Sequence, residues 1–376
     1  MRASQVAQQL EAELRGGRHG VPGDRFITVR QLAARYQVSL VTAHRVVQRL
    51  KRQGLLIGDS THPAVIAPQA VRASRAAEAG FPRRLGMVIT NIASPFFSRL
   101  CRHVQQAAAA HGYQVLMAGS QYDFQREKKA VEGFLEIGVE GLLVVPGLDE
   151  SCVDWYRSLI DRGVRLVFVS RQVEGVPADF VVADSFAGSA AMAGHLMSMD
   201  YHSFGYIGFG PRLKRDARIR GLCSALSEEG ITLAPQRIAS GEGGGVEHGY
   251  RAMAELLRGR NRPRAVFAFH DLLAIGALRY CQEHSIRVPE EVAIAGFDDL
   301  PESQVTSPPL TTVRYPIESM ARLAIQCLIE DRSGGPAGGV HHRVLLEPHV
   351  VVRRSTDPAA IVAAPLAQEQ ELYEIP

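Results

Sequence analysis

Asp298 and Asp299 stand at the end of a short apolar run, Val292 to Gly296, within V-P-E-E-V-A-I-A-G-F-D-D-L-P-E-S-Q-V-T-S-P-P-L-T-T-V-R-Y-P. The run has no period of two, which predicts a strand buried on both faces of a parallel sheet. In open α/β sheets ligands sit beyond the carboxyl ends of the strands. An Asp at such an end is placed to accept hydrogen bonds from a hydroxylated or cationic ligand. Its competing role is to cap the next segment. Pro308, Pro309 and the extended stretch Leu310 to Val313 break the sheet rhythm and read as a crossover between two lobes.

Other chemistry is not signalled. No Ser-His-Asp arrangement and no metal-ligand spacing emerges, so neither catalysis, metal nor cofactor is expected. Gly208-x-Gly210 follows a strand-like run, but Leu213 stands where a dinucleotide loop needs its third glycine. Gly241-Glu242-Gly243-Gly244-Gly245 lacks the G-K-[ST] of a phosphate loop and reads as a flexible connector. Cys101, Cys152, Cys223, Cys281 and Cys327 are odd in number, far apart and without C-x-x-C, which suits free thiols in a reducing cytosol.

The charges are segregated. Residues 1–75 carry twelve Arg and Lys against four acids, a surplus of eight positive charges in a chain whose net charge is +3. The remainder is therefore mildly acidic. A basic head on an acidic body is the footprint of a nucleic-acid module joined to something else. At 376 residues, two or three domains are expected, and 46% hydrophobic with 22% charged residues is an ordinary soluble composition. The N-terminal M-R-A-S-Q-V-A-Q-Q-L-E-A-E-L has no apolar h-region, and no run of about 18 apolar residues exists. A cytoplasmic protein without membrane spans is the expectation.

Elements that position these residues follow from the patterning. In the head, Gln5, Val6, Gln9, Leu10 and Leu14 predict an amphipathic helix ended by Gly16 and Gly17. Thr28 then caps a second helix, T-V-R-Q-L-A-A-R-Y. After a turn at Gln37-Val38, Ser39 caps a third helix over roughly 40–53, with Val46, Val47 and Leu50 inward. Helix, short turn and Ser-capped basic helix make a helix-turn-helix, whose second helix enters the major groove. Residues 69–82 read as a linker. From residue 83 to 356, strand-like runs alternate with helical segments, which means βαβ units and parallel sheets in two lobes. Residues 357–376 read as a mobile tail.

Two resemblances sharpen this. P-G-D-R, T-V-R-Q-L-A-A-R-Y-Q-V-S and V-V-Q-R-L-K-R-Q-G-L-L make residues 1–68 resemble the GntR-type winged helix-turn-helix. That resemblance implies DNA contacts from Arg30, Ser39, Leu40, Thr42, His44 and Arg45. Leu40 stands where that family has an Arg, so one base or phosphate contact is missing or apolar. The wing reads G-D-S-T-H-P-A-V-I from Gly58, without the second glycine of G-x-G-T-x-V.

The body carries N-I-A-S-P-F-F, H-G-Y, V-E-G-L-L, R-x-x-G, F-H-D-L-L-A-I-G-A-L, V-P-E-E-V, G-F-D-D, P-P-L-T-T-V and V-R-R-S-T. Together these resemble the effector domain of the LacI/GalR family, an α/β, two-lobed type I periplasmic-binding-protein-like fold of parallel sheets flanked by helices. The implied division is lobe 1 at 83–183 plus 315–337 and lobe 2 at 184–313 plus 338–356. The implied effector residues are Thr90, Asn91, Ser94, Ser170, Arg218, His270 and Asp298. Phe96 and Phe97 either stack on a sugar or ring, or pack in the core. Arg218, the Arg of R-x-x-G, offers a planar donor fork, while Arg215 and Arg220 face solvent. His270 stands where the family has Asn, which implies a changed hydrogen-bond pattern and a pH response. The implied function is a non-enzymatic repressor that binds operator DNA as a homodimer. A small, sugar-like effector held between the lobes controls it. The alternative is a solute-binding protein of a transport system.

Overall fold

The computed structural model describes residues 3–15, 18–19, 24–52, 55–58, 64–66, 83–147, 152–210, 216–241, 243–259, 261–330 and 341–360. The predicted linker, wing positions Thr61 and His62, Arg215 and the tail beyond 360 lie outside them.

Among the described residues, the head forms three helices and a pair of strands: α1 (Ala3–Arg15), α2 (Val29–Arg35), α3 (Leu40–Arg52), β1 (Leu56–Ile57) and β2 (Val65–Ile66). Val6, Leu10 and Leu14 fall on one face of α1 and meet Leu32, Val46, Leu50, Leu56 and Ile66 in a core of their own. Thr28 and Gln31 form a reciprocal capping box at the start of α2. Glu13 accepts from the Tyr36 hydroxyl at 2.6 Å, fastening α1 to the end of α2. Behind α3, β1 and β2 pair antiparallel, and the segment before α2 joins them. Arg25 bridges Val65, and Phe26 N–H donates to Ala64 at 2.8 Å.

The chain divides into two units, 1–182 with 317–344 and 183–316 with 345–376. Unit 1 contains, beyond the head, β3 (Arg83–Ile89), α4 (Pro95–Ala109), β4 (Tyr113–Gly119), α5 (Phe124–Ile137), β5 (Leu142–Val144), α6 (Val153–Asp161), β6 (Leu166–Val169), β7 (Asp179–Ala183) and α12 (Ile317–Ile329). Unit 2 contains α7 (Ser185–Ser198), β8 (Phe204–Ile207), α8 (Ala217–Glu228), β9 (Ile238–Ala239), α9 (Val246–Leu256), β10 (Ala265–Ala268), α10 (Asp271–Glu283), β11 (Ala293–Asp298), α11 (Glu302–Val305), β12 (Thr311–Arg314) and β14 (His349–Val351). A last strand, β13 (Arg343–Leu346), borders β7.

The sheet orders are β13-β7-β6-β5-β3-β4 and β14-β12-β11-β10-β8-β9. In each, the first strand lies between the second and third, and the main strands run parallel. The strand order therefore reverses between β3 and β5 in unit 1, and between β8 and β10 in unit 2. Such switch points open a crevice at the carboxyl ends of the strands. β5, β6, β8, β10 and β11 are buried at every residue, as their unbroken apolar runs require.

One expectation is corrected. Leu310 to Val313 is not a crossover: Thr311–Arg314 is β12, parallel to β11 with Ala295 opposite Thr311 and Asp298 opposite Arg314. Thr311, Thr312 and Val313 are β-branched and buried, which suits a pleated strand better than a connector. The chain leaves unit 2 only after Pro316. Asp298, in turn, is the last residue of β11 and not a cap of the following helix.

Candidate functional site

In unit 2 the switch point is lined by aromatic rings around one arginine. Arg218 sits in the first turn of α8, where Asp216 caps its backbone N–H at 2.8 Å. Its guanidinium carbon lies 4.0 Å from the Phe297 ring centroid, 4.4 Å from Phe269 and 5.8 Å from Tyr315. Nη1 donates to the Phe269 carbonyl, and Nη2 donates to Asp298 Oδ1 at 3.4 Å. A desolvated cation over ring faces gains about 2 kcal/mol. Burial opposes the charge on Arg218, but Asp298 and its neighbours hold the group above the usual arginine range. The glycine of R-x-x-G explains how α8 gets there. A Cβ at Gly221 would stand 2.2 Å from the Phe186 carbonyl of α7, so only glycine permits that approach.

The two consecutive acids do different work. Asp298 has φ +113°, a conformation that L residues rarely adopt, and faces Arg218. Asp299 accepts from Arg353 at 2.6 Å and from Arg314 at 2.5 Å, joining the end of β11 to β12 and to the returning C-terminal segment. Burial would raise the Asp299 carboxyl, but Arg353 and Arg314 hold it below the usual range. Asp271, buried at the start of α10, accepts from Thr312 at 2.5 Å and from Leu300 N–H at 2.7 Å. Burial, then nearby Asp298, pushes its carboxyl well above the usual range.

His270 caps α10, its Nδ1 accepting from Leu273 N–H at 3.4 Å, which leaves the ring hydrogen on Nε2. Burial first, and Arg218 second, push this imidazole down to about 3. The pH response expected from the Asn-to-His difference is therefore corrected: the ring stays neutral across the physiological range. Phe209, just beyond β8, lies 5.9 Å from Phe269 and 6.1 Å from His270 by ring centroids. The glycine run predicted as a flexible connector packs here, since a Cβ at Gly244 would fall 2.8 Å from the Phe209 ring.

Unit 1 presents a different surface at its strand ends. Thr90, directly after β3, is fully buried, and its hydroxyl has no partner among the described residues. The same holds for Ser120 Oγ after β4 and for Arg171 Nη1 after β6. Ser170 takes φ +65° and donates its N–H to Val181. Asn91 is used locally, its Oδ1 accepting from Ala93 N–H at 3.0 Å. Ser94 occupies the N-cap of α4 without a side-chain cap hydrogen bond, leaving N–H groups there to donate to another partner. Phe96 and Phe97 are buried and meet edge-to-face at 5.1 Å, which is the packing alternative.

In the head, Arg30, Ser39, Leu40, His44 and Arg45 are exposed and Thr42 is half-buried. Ser39 Oγ accepts from Thr42 N–H at 3.2 Å and lies 2.9 Å from Thr42 Oγ1, so these two hydroxyls first cap α3. Lys51 Nζ donates to Gly58 at 2.8 Å, tying the far end of α3 to the strand pair.

Sequence reasoning did not single out Phe209, Phe269, Tyr315, Ser120 or Arg171. Each follows a strand directly or within two residues, and that position is the signal that could have found them.

Residues 193–356 match the model of a family described as a periplasmic binding protein-like domain. The HTH-type transcriptional regulator GalS of Salmonella typhimurium is 30% identical over 319 residues, 82% of this chain and 91% of that protein. The arabinose metabolism transcriptional repressor of Halalkalibacterium halodurans is 26% identical over 365 residues, 93% of this chain and 95% of that one. Among solved structures, a protein described as a LacI-family transcriptional regulator, from Sanguibacter keddieii, superposes with a TM-score of 0.65 at 28% identity. It covers 73% of this chain and 99% of its own. These relatives regulate transcription, so the solute-binding alternative falls away. No helix among the described residues is long and apolar enough to cross a membrane. The chain belongs to the LacI/GalR-type transcriptional regulators, with a periplasmic-binding-protein-like effector domain.

Proposed function

We propose that this protein is a cytoplasmic, homodimeric repressor with a GntR-type winged helix-turn-helix at residues 1–68. The linker would be 69–82 and the effector-binding and dimerising body 83–356. The strand pair β1–β2 behind α3, with Asp24 to Phe26 alongside it, supports the winged type of head. Arg30, Ser39, Leu40, Thr42, His44 and Arg45 are the residues we assign to operator DNA. Dimerisation matches the two-fold symmetry of helix-turn-helix operators.

The effector we infer is a small, hydroxylated, sugar-like molecule. The observation that carries this is the strand-end edge of unit 2. There a ring-sandwiched Arg218 and Asp298 at positive φ offer a charged donor and acceptor, with neutral His270 Nε2–H beside aromatic faces. Aromatic faces with paired donors and acceptors suit the apolar faces and ringed hydroxyls of a sugar. At unit 1's strand ends, the Thr90 hydroxyl, without a hydrogen-bond partner among the described residues, is with Ser170, Asn91 and Ser94 the corresponding candidate set, with Ser120 and Arg171 added. Phe96 and Phe97 serve it as packing. The test is a thermal-shift screen of the full chain against sugars, sugar acids and nucleobases. A hit should raise the melting temperature, because it binds only the folded state. The same hit should fail on Arg218→Ala and should change operator affinity. A hit that binds Arg218→Ala equally well would move the site elsewhere.

A further inference from the structure

Two large apolar side chains stand exposed at the start of α3, Leu40 at 55% and Val41 at 64%. They do not belong to the head's core, which takes Ala43, Val46, Val47 and Leu50 from the same helix; Val41 lies opposite that face, and Leu40 lies at its edge, one turn before Ala43. The outward face of α3 is otherwise polar or basic, with His44, Arg45, Gln48 and Arg49 exposed along it. Leaving Leu40 and Val41 in water forgoes the burial their side chains would gain on folding, and neither serves as cap, since Ser39 fills that place.

From this we infer that Leu40 and Val41 read thymine methyl groups in the operator. The inference rests on the reading of α3 as the recognition helix and deepens it. The first residues of a recognition helix meet base edges in the major groove. There the C5-methyl of thymine is the one apolar group a base presents, and apolar side chains are what recognise it. The surroundings fit a duplex and not an apolar protein surface. The pair is followed along the helix face by Arg45 and Arg49, with Arg30 exposed on α2, in a segment carrying a surplus of eight positive charges over residues 1–75. Those charges hold phosphates without sequence preference, so the apolar pair supplies selectivity. A half-site carrying thymine where an arginine reader would meet guanine is the consequence.

The full-length protein is used to select duplexes from a random pool. Each thymine of the selected half-site is then replaced singly by deoxyuracil, which removes only the methyl. At least one replacement should weaken binding about fourfold, the factor corresponding to ~0.8 kcal/mol for one buried methyl-sized group. In Leu40→Ala or Val41→Ala the same replacement should have no further effect. Leu40→Arg should move the preference at that position toward guanine. Both side chains are exposed, so these variants fold. If a duplex is selected but no thymine is methyl-sensitive, or the sensitivity survives in both alanine variants, this inference falls and DNA binding stands. If no duplex is selected, both fall.

Discussion

Units 1 and 2 share one strand order and one place where that order reverses, yet they put different chemistry there. Unit 2 has a closed electrostatic arrangement: Arg218 between rings, answered by Asp298, with the Asp299 and Asp271 networks behind it. Unit 1 has hydroxyls and a guanidinium nitrogen that are buried without partners among the described residues. Unit 2 has orphans of its own among the described residues, such as the Tyr206 hydroxyl and His248 Nδ1, but its Arg218–Asp298 pair is matched, and a matched pair and an orphan respond differently to loss of a group. Breaking a pair costs the stranded partner's desolvation, whereas removing an orphan removes a penalty.

The largest effect should come from Arg218→Ala, which removes the cation facing buried Asp298. Unfolding in urea should show unit 2 destabilised by about 3 kcal/mol, and effector affinity should fall at least tenfold, equivalent to ~1.4 kcal/mol. The double variant Arg218→Met/Asp298→Leu should recover much of the stability and none of the affinity. A double variant no more stable than the single one would mean that the pair is not the relevant unit. Asp298→Asn should also weaken the effector about tenfold while operator binding without effector stays near normal. In unit 1, Thr90→Val should leave stability level or raise it by up to about 1 kcal/mol, and weaken the effector less than Arg218→Ala does. Loss of stability matching that of Arg218→Ala would erase the contrast between the units.

A third test uses protons. His270 titrates near 3 in the folded chain against an ordinary 6.5, so between those values the unfolded chain binds more protons and stability rises with pH. Stability should therefore decline as pH falls below about 6.5, and His270→Asn should flatten part of that decline in thermal melts. Effector affinity should show no His270 step between pH 5 and 8. A step near pH 6.5 that disappears in His270→Asn would show the ring charging in the site. The smallest effect belongs to exposed Arg220→Ala, within about 0.5 kcal/mol in stability and without consequence for the effector.

Much of this frame was legible because buried parallel strands write themselves as unbroken apolar runs. Ala265 to Ala268 is such a case, four apolar residues in a row that form β10 and are buried throughout. The edge strands β9, β13 and β14 were not, being two to four residues long and only partly buried. β12 was obscured by the prolines before it, although its β-branched residues were the better guide. Arg218 and Asp298 were singled out from sequence, and in the structure they meet. The division of labour between Asp298 and Asp299 was not visible, because it depends on Arg353, which lies 54 positions away along the chain. Asp271 was hidden in the same way: its partners Leu300 and Thr312 come from beyond β11. The His270 environment, too, is a matter of burial and of Arg218's proximity, neither of which a residue type reveals.

Gly221 carries a consequence for how a ligand is met. With backbone seated on backbone at Phe186, α8 has no clearance in which to slide or tilt against α7. The guanidinium at its first turn is thus oriented before any effector arrives, and the freedom its long side chain would otherwise surrender on binding has already been lost in folding. On the proposed assignment, an effector binding at Arg218 would meet no such ordering penalty there. Gly221→Ala, by wedging the helices apart, would restore that penalty without changing any residue proposed to contact the effector.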